Sequence, residues 1–259
     1  MSQLVAIVNV TPDSFSDGGD YEGEEVLERV QDLIDDGANV IDVGAESTRP
    51  GAEPIDFNEE FKRLSLLLPE IVGMAHANGV EVSVDTRHPS TARWALEEDV
   101  DWINDVTGLR NEDMRRVLAD ATCPIVVMHS LSVPVVKDEV LPEDADVETV
   151  FVEWLEDLLE TIEEAGIARE RLIVDPGLGF GKTPRQTLEL IQAAGRLRQL
   201  GLPLLYGHSR KSFMSLFSDG EPFERDELTC AFSAMLALHG VEYLRVHDVA
   251  SHKAMLDAL

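Results

Sequence analysis

Short apolar runs rich in β-branched residues alternate along the whole chain with longer segments in which apolar positions recur every three or four residues. The runs are 4–9, 40–44, 80–85, 102–104, 125–129, 171–175, 204–207 and 243–246. The segments that follow them are 24–36, 58–78, 89–98, 111–121, 147–165, 184–200, 225–238 and 249–256. In 147–165 the apolar positions are Val150, Phe151, Trp154, Leu155, Leu158, Leu159 and Ile162, one face of an α-helix. A strand followed by a helix, repeated in this way, predicts a parallel sheet with crossover helices. Eight such units in a 259-residue chain fit an α/β fold closed into a (β/α)8 barrel of the TIM type better than an open doubly wound sheet.

The punctuation agrees. Gly37, Gly79, Gly166, Gly201 and Gly240 stand where helices should end, and Pro89 and Pro184 where a first helical turn tolerates proline. An open nucleotide-binding sheet would place a glycine-rich loop after the first strand, but Asn9 is followed by Val10-Thr11-Pro12-Asp13. No linker or compositional break divides residues 1–259, which predicts a single domain.

Barrels of this kind place their chemistry at the C-terminal ends of the strands. Those ends carry Asn9, Asp42, Asp85-Thr86-Arg87, Asn104-Asp105, His129, Asp175, His208-Ser209-Arg210-Lys211 and Arg245-Val246-His247-Asp248, with Glu46-Ser47-Thr48-Arg49 just beyond the second. Any one could be a helix cap; all of them together point to a site. Asp85, Asn104 and Asp175 offer acceptors suited to a planar heterocycle with N–H donors along one edge. Arg49, Lys211, Arg245 and His247 form an opposing cationic group suited to a phosphate, a diphosphate or a carboxylate. Residues 11–19 (TPDSFSDGG) and 46–51 (ESTRPG) read as exposed turns able to close over the site. Residues 177–183 (GLGFGKT) lack P-loop spacing, so Phe180 reads as an aromatic wall presented by glycines.

Charge narrows the partners. With 50 acidic against 21 basic residues, the net charge is −29, which argues against nucleic acid and anionic membrane surfaces. Sixteen of the basic residues are arginine and only five lysine, namely 62, 137, 182, 211 and 253. That bias predicts a surface adapted to concentrated salt. The N-terminus lacks a signal-peptide pattern and no long apolar span occurs, so a soluble, cytoplasmic protein is expected. Cys123 and Cys230 suggest neither a disulfide nor zinc, only buried small residues.

Seven segments carry a family resemblance: IVNVTPDSFSDGG (7–19), IDVGAESTRPGA (41–52), SVDT (83–86), INDVTG (103–108), VDPGLGFGKT (174–183), GHSRKSF (207–213) and LRVHDV (244–249). In order and position they resemble the dihydropteroate synthases. The resemblance implies a (β/α)8 barrel, commonly a homodimer, that joins 6-hydroxymethyl-7,8-dihydropterin diphosphate to 4-aminobenzoate in folate biosynthesis. It implies that Asp85, Asn104, Asp175 and Lys211 hold the pterin, that Met128 and Gly207 line its pocket, and that Arg245 stacks on its face. Asn9 would carry Mg2+, and Arg245 with His247 the phosphates. Thr48, Arg49, Pro50, Phe180, Lys211 and Ser212 would shape the site for diphosphate and aminobenzoate. The catalytic set is then Asp85, Asp175, Lys211 and Arg245.

The chain departs from the family pattern at Ala45, at His208, which is expected to add a titratable group near Lys211, and across 129–135. The acidic stretch 138–148 reads as a solvated linker. Two alternatives share the pterin pocket: a methyltransferase passing a methyl group from a tetrahydrofolate-type donor to a corrinoid protein, and a non-catalytic pterin-binding subunit. The SRKS, RVH and TPDSFSDGG segments favour the synthase over both.

Overall fold

The computed structural model describes residues 2–10, 21–48 and 51–259. Its strands are β1 (Gln3–Asn9), β2 (Val40–Gly44), β3 (Glu81–Asp85), β4 (Trp102–Asp105), β5 (Ile125–Met128), β6 (Leu172–Asp175), β7 (Leu205–Tyr206) and β8 (Tyr243–Val246). All paired neighbours run parallel, in the order β6-β5-β4-β3-β2-β1-β8-β7. A bridge between Val174 and Leu204, with Val174 N donating to Pro203 O at 2.9 Å, joins the two ends of that order and closes the ring. The alternation seen in the sequence has become a single (β/α)8 barrel.

Period-two alternation sorts the strand residues into two populations. Val5, Val40, Trp102, Val126, Ile173 and Leu205 pack together inside the ring, with Tyr243 edge-on to Trp102 at 4.9 Å. Their chain neighbours, among them Leu4, Ala6, Ile41, Val43, Ile103, Ile125, Val127, Leu172, Val174, Tyr206, Leu244 and Val246, belong to the larger core beneath the helices. The interior is therefore a packed apolar floor.

The surrounding helices are α1 (Tyr21–Asp35), α2 (Phe57–Leu64), α3 (Leu68–Ala77), α4 (Pro89–Glu97), α5 (Glu112–Ala119), α6 (Val147–Glu164), α7 (Pro184–Gln192), α8 (Ala194–Leu197), α9 (Asp226–Leu238) and α10 (Val249–Ala258). Side-chain oxygens of Asp56, Asn111, Asp146, Thr183 and Asp248 cap α2, α5, α6, α7 and α10. Pro89 and Pro184 take the first turns expected of them. The segment 58–78 is two helices rather than one, because Pro69 falls in the first turn of α3 and cannot donate to a preceding turn. The segment 184–200 likewise divides into α7, α8 and a short turn at Arg198–Leu200. Cys123 and Cys230 are free and only half-buried, short of the full burial expected. No helix among the described residues is long and apolar enough to cross a membrane.

Candidate functional site

The floor predicts which residues line the mouth. Moving two positions along each strand keeps a side chain on the inner face, so Asp42 stands above Val40, Asn104 above Trp102, Met128 above Val126 and Asp175 above Ile173. By the same step Gly207 follows Leu205, and Arg245 follows Tyr243. Asn9 ends β1 opposite Gly44, which pairs in turn with Asp85, and Asp85 with Asn104. Asp105 has the opposite parity and does different work: its carboxylate accepts from Thr107 N and Oγ1 and from Leu109 N, at 2.6 to 2.9 Å, and so caps a turn.

Ion pairs reach across the mouth from β8 to β2 and β3. Arg245 Nε donates to Asp42 Oδ2 at 2.6 Å and Nη2 to Asp85 Oδ2 at 2.9 Å, while Asn104 Nδ2 donates to Asp42 Oδ2 at 3.3 Å. Gly207 leaves the centre bare. A Cβ there would lie 3.6 Å from Asp175 Oδ2 and 3.9 Å from both Arg245 Cδ and Lys211 Nζ, so three charged side chains converge on one uncovered stretch of backbone. Burial pushes the Asp85 carboxyl up to about 8, with Arg245 opposing the rise. Asp175 is also raised by burial against the pull of Lys211. Burial lowers Lys211 to about 8, with Asp175 acting the other way. For Arg245, burial works against the charge, yet Asp42 and Asp85 outweigh it and keep the guanidinium firmly protonated.

One wall is apolar: Met128, Val106 and Phe180 pack together, with Val133 and Val135 against them. Lys211 Nζ lies 4.8 Å from the Phe180 ring centroid and donates to Leu178 O at 2.6 Å. Ser212 opens the turn Ser212–Leu216 directly after Lys211. His247 Nδ1 is 2.8 Å from Ser209 Oγ. Thr48 O accepts from Val135 N at 3.4 Å, which joins the loop after β2 to the segment after β5. Arg49, Pro50 and the whole of 11–19 lie outside the described residues.

Three expectations change. Glu46 is no exposed turn residue: its carboxylate takes a two-point grip from Arg87 at 2.7 and 2.8 Å and another bond from Ile55 N. His208 does not reach the mouth, because its parity points it outward, where Nε2 meets Ser233 Oγ at 2.7 Å. Burial lowers its imidazole to about 4. Asp42, seen in the sequence only as a strand end, proves to be the counter-ion of Arg245; a carboxylate inside the apolar run VIDVG was the available signal. Of the stretch 138–148, residues 138–146 are largely exposed, as a solvated linker should be, and end in the Asp146 cap, whereas Val147 is buried and opens α6 with Glu148.

Lys182 was also missed. Its ammonium is buried behind the Phe180 loop, against His129. Beside the mouth, a cavity of about 330 Å³ is lined by Arg87, Thr107, Arg110, Asn111 and Val133. A second, of about 420 Å³, lies on the opposite face near Asp99, Asp101 and Cys123, away from this chemistry. Among the described residues no cluster of three His, Cys, Asp or Glu side chains forms a metal cage. The oxygen donor available to a hard cation at the end of β1 is the Asn9 amide, a type Mg2+ accepts when phosphates and waters supply the rest.

Such a mouth defines a small-molecule enzyme built on a (β/α)8 barrel, with acceptors for a planar N–H-rich ring and cations for an anionic group. Residues 5–247 match the model of the pterin binding enzyme family, and the chain belongs to that family. It is 36% identical over 260 residues to the dihydropteroate synthase of Streptococcus pyogenes, covering 99% of this chain and 94% of that protein. It is 41% identical over 255 residues to a probable bifunctional folylpolyglutamate synthase/dihydropteroate synthase of Haloferax volcanii. That match covers 98% of this chain but only 30% of the longer protein. Among solved structures, dihydropteroate synthase of Anaplasma phagocytophilum with bound 6-hydroxymethylpterin-monophosphate superposes with a TM-score of 0.90 at 41% identity, covering 100% of this chain and 99% of that one.

Proposed function

We propose that the chain is a dihydropteroate synthase, a transferase that joins 6-hydroxymethyl-7,8-dihydropterin diphosphate to 4-aminobenzoate and releases diphosphate and 7,8-dihydropteroate. The observation that carries this reading is the convergence of Asp175, Lys211 and Arg245 around the uncovered backbone of Gly207, with Asp85 and Asn104 on the same inward stripe. Asp85, Asn104 and Asp175 take the N–H edge of the pterin, Lys211 a ring acceptor, Met128 lines the pocket, and Arg245 lies along the ring face.

The chemistry follows from this charge distribution. The C–O bond to the diphosphate breaks first, its electron pair leaving with the phosphate oxygen, while the electron-rich dihydropterin delocalises the cation left at the methylene. Asp85 and Asp175, whose carboxylate forms Arg245 and Lys211 favour against burial, stabilise that cation through the ring N–H groups, where low polarity strengthens the interaction. The weakly basic arylamine nitrogen then forms the C–N bond and gives up a proton. Arg245 and His247 take the diphosphate; Thr48, Arg49, Pro50, Phe180 and Ser212 shape its exit and the arylamine site. Asn9 would hold Mg2+, which when bound neutralises charge on the diphosphate.

The reading extends to residues 1–259 as one pterin-binding domain, to a cytoplasmic homodimer, and to a salt-adapted surface. The net charge of −29 and a relative from a halophilic archaeon support the last of these. The deciding experiment mixes purified protein, Mg2+, the pterin diphosphate and 4-aminobenzoate in molar KCl and measures diphosphate and dihydropteroate. Both products are expected, with the rate rising toward molar salt. Methyl transfer from methyltetrahydrofolate without condensation would replace the reading, and a rate maximum in dilute buffer would remove the salt adaptation.

A further inference from the structure

Two of the five lysines in this chain lie at or behind the mouth, Lys211 half-buried and Lys182 fully so, and only Lys211 has a part in the reaction above. Lys182 is 5% exposed. Its Nζ lies 2.7 Å from His129 Nδ1, 3.0 Å from Gly177 O, 3.2 Å from Phe180 O and 3.2 Å from His129 O. An ammonium has three N–H donors and no acceptor, so the four neighbours all act as acceptors and share three hydrogens. Burial, reinforced by Lys182, lowers His129 to about 3, which leaves its ring neutral and Nδ1 free to accept. Burial also lowers Lys182 itself, to about 7, against the pull of Asp175, while Lys211 and Arg110 push in the same direction as burial.

The loop 177–181 has an anchored side and a substrate side. On the anchored side, Gly177 O and Phe180 O face the Lys182 ammonium, and the loop fits closely against the segment after β5. A Cβ at Gly177 would stand 1.8 Å from His129 O and one at Gly181 2.4 Å from Leu131 Cγ, and both glycines have positive φ, 67° and 74°. On the substrate side, Gly177 N donates to Asp175 Oδ1 at 2.7 Å, Leu178 O accepts from Lys211, and the Phe180 ring lies under the Lys211 ammonium.

We propose that Lys182 is a positioning residue: its ammonium holds backbone carbonyls from the segment after β5 and the loop after β6 around one point, and thereby sets where Phe180 and Lys211 meet substrate. Carbonyl dipoles aimed at a common point repel one another, and with the cation removed they are left buried and unpaired, so the loop must open. A lysine that served only the fold would lower stability without altering the loop's substrate side.

For the substrates involved, the inference rests on the proposed reaction, and its test separates the two. Lys182→Met keeps an unbranched side chain one atom shorter and removes the charge. Hydrogen exchange of the full-length protein, followed by mass spectrometry, should quicken about tenfold in peptides spanning 177–182 and stay unchanged in the floor strands. The KM for 4-aminobenzoate should rise about tenfold in Lys182→Met and in Phe180→Ala, and also about tenfold, rather than a hundredfold, in the double variant. Unchanged exchange in that loop, faster exchange everywhere, or multiplicative KM effects would each overturn the proposal. If Lys182→Met does not fold, His129→Leu, which removes the Nδ1 acceptor and supplies none in its place, should give a smaller change in the same loop, and no change there would overturn it as well. The exchange result stands whether or not the chain makes dihydropteroate.

Discussion

The floor and the mouth of the barrel are built on the same strands, two residues apart. Val40, Trp102, Val126, Ile173 and Leu205 form an apolar layer, and the next inward positions are Asp42, Asn104, Met128, Asp175 and Gly207. Burial is nearly equal, for Ile173 is 4% exposed and Asp175 5%. What differs is the effect of that burial. It stabilises the floor in proportion to area, about 25 cal/mol per Å². In the mouth it raises the carboxyls of Asp85 and Asp175, and it leaves Asp42 Oδ1 without a hydrogen-bond partner. Arg245 offsets part of that penalty by bridging Asp42 and Asp85. The floor therefore supports the fold, and the mouth holds charges the fold does not need.

The strongest way to break this contrast is Asp175→Asn. The change keeps shape and removes the charge proposed to stabilise the methylene cation, so turnover should fall about a thousandfold or more, a barrier of about 4 kcal/mol. The melting temperature should hold or rise, because a buried carboxylate has gone. Steady-state rates beside a thermal melt decide it, and near-normal turnover would remove Asp175 from the mechanism. Two residues below, Ile173→Ala should do the reverse. Its cavity should lower stability by about 2 to 4 kcal/mol, with kcat/KM preserved where the protein stays folded. A large loss of kcat/KM in the folded Ile173→Ala protein would mean that the two layers are not separable.

Much of this was legible from residue order. Strand ends carry the polar residues, β2 and β8 begin and end where the apolar runs do, and the glycine and proline positions mark helix ends as their backbone preferences require. The expected acceptors Asp85, Asn104 and Asp175 share one inward parity, and Lys211 and Arg245 stand beside them. The illegible parts are pairings between distant segments. Arg245 and Asp42 are 203 positions apart, and Lys182 and His129 are 53 apart. No local pattern states either pairing; only closure of the barrel brings the partners together. His208 shows the opposite error, since a residue next to Gly207 in sequence lies on the other face of its strand.

That single step of parity gives the smallest and most selective effect. His208 is fully buried between Tyr206 O and Ser233 Oγ, and burial lowers it to about 4 from an ordinary value of about 6.5. Between those values the unfolded chain binds a proton that the folded protein does not. The stabilisation is therefore intact above pH about 6.5 and is lost as pH falls toward 4, at about 1.4 kcal/mol per pH unit. Glu60 opposes the trend in the whole protein, because burial raises its carboxyl to about 7 and so favours folding as pH falls. Comparison with His208→Gln cancels that background. The stability of the native protein relative to this variant should drop by about 2 kcal/mol between pH 7 and pH 5, measured by urea unfolding. The pH dependence of turnover should be the same in both, because the imidazole faces α9 and not the mouth. A flat stability difference, or a shifted pH–rate profile in the variant, would place His208 back among the residues of the site.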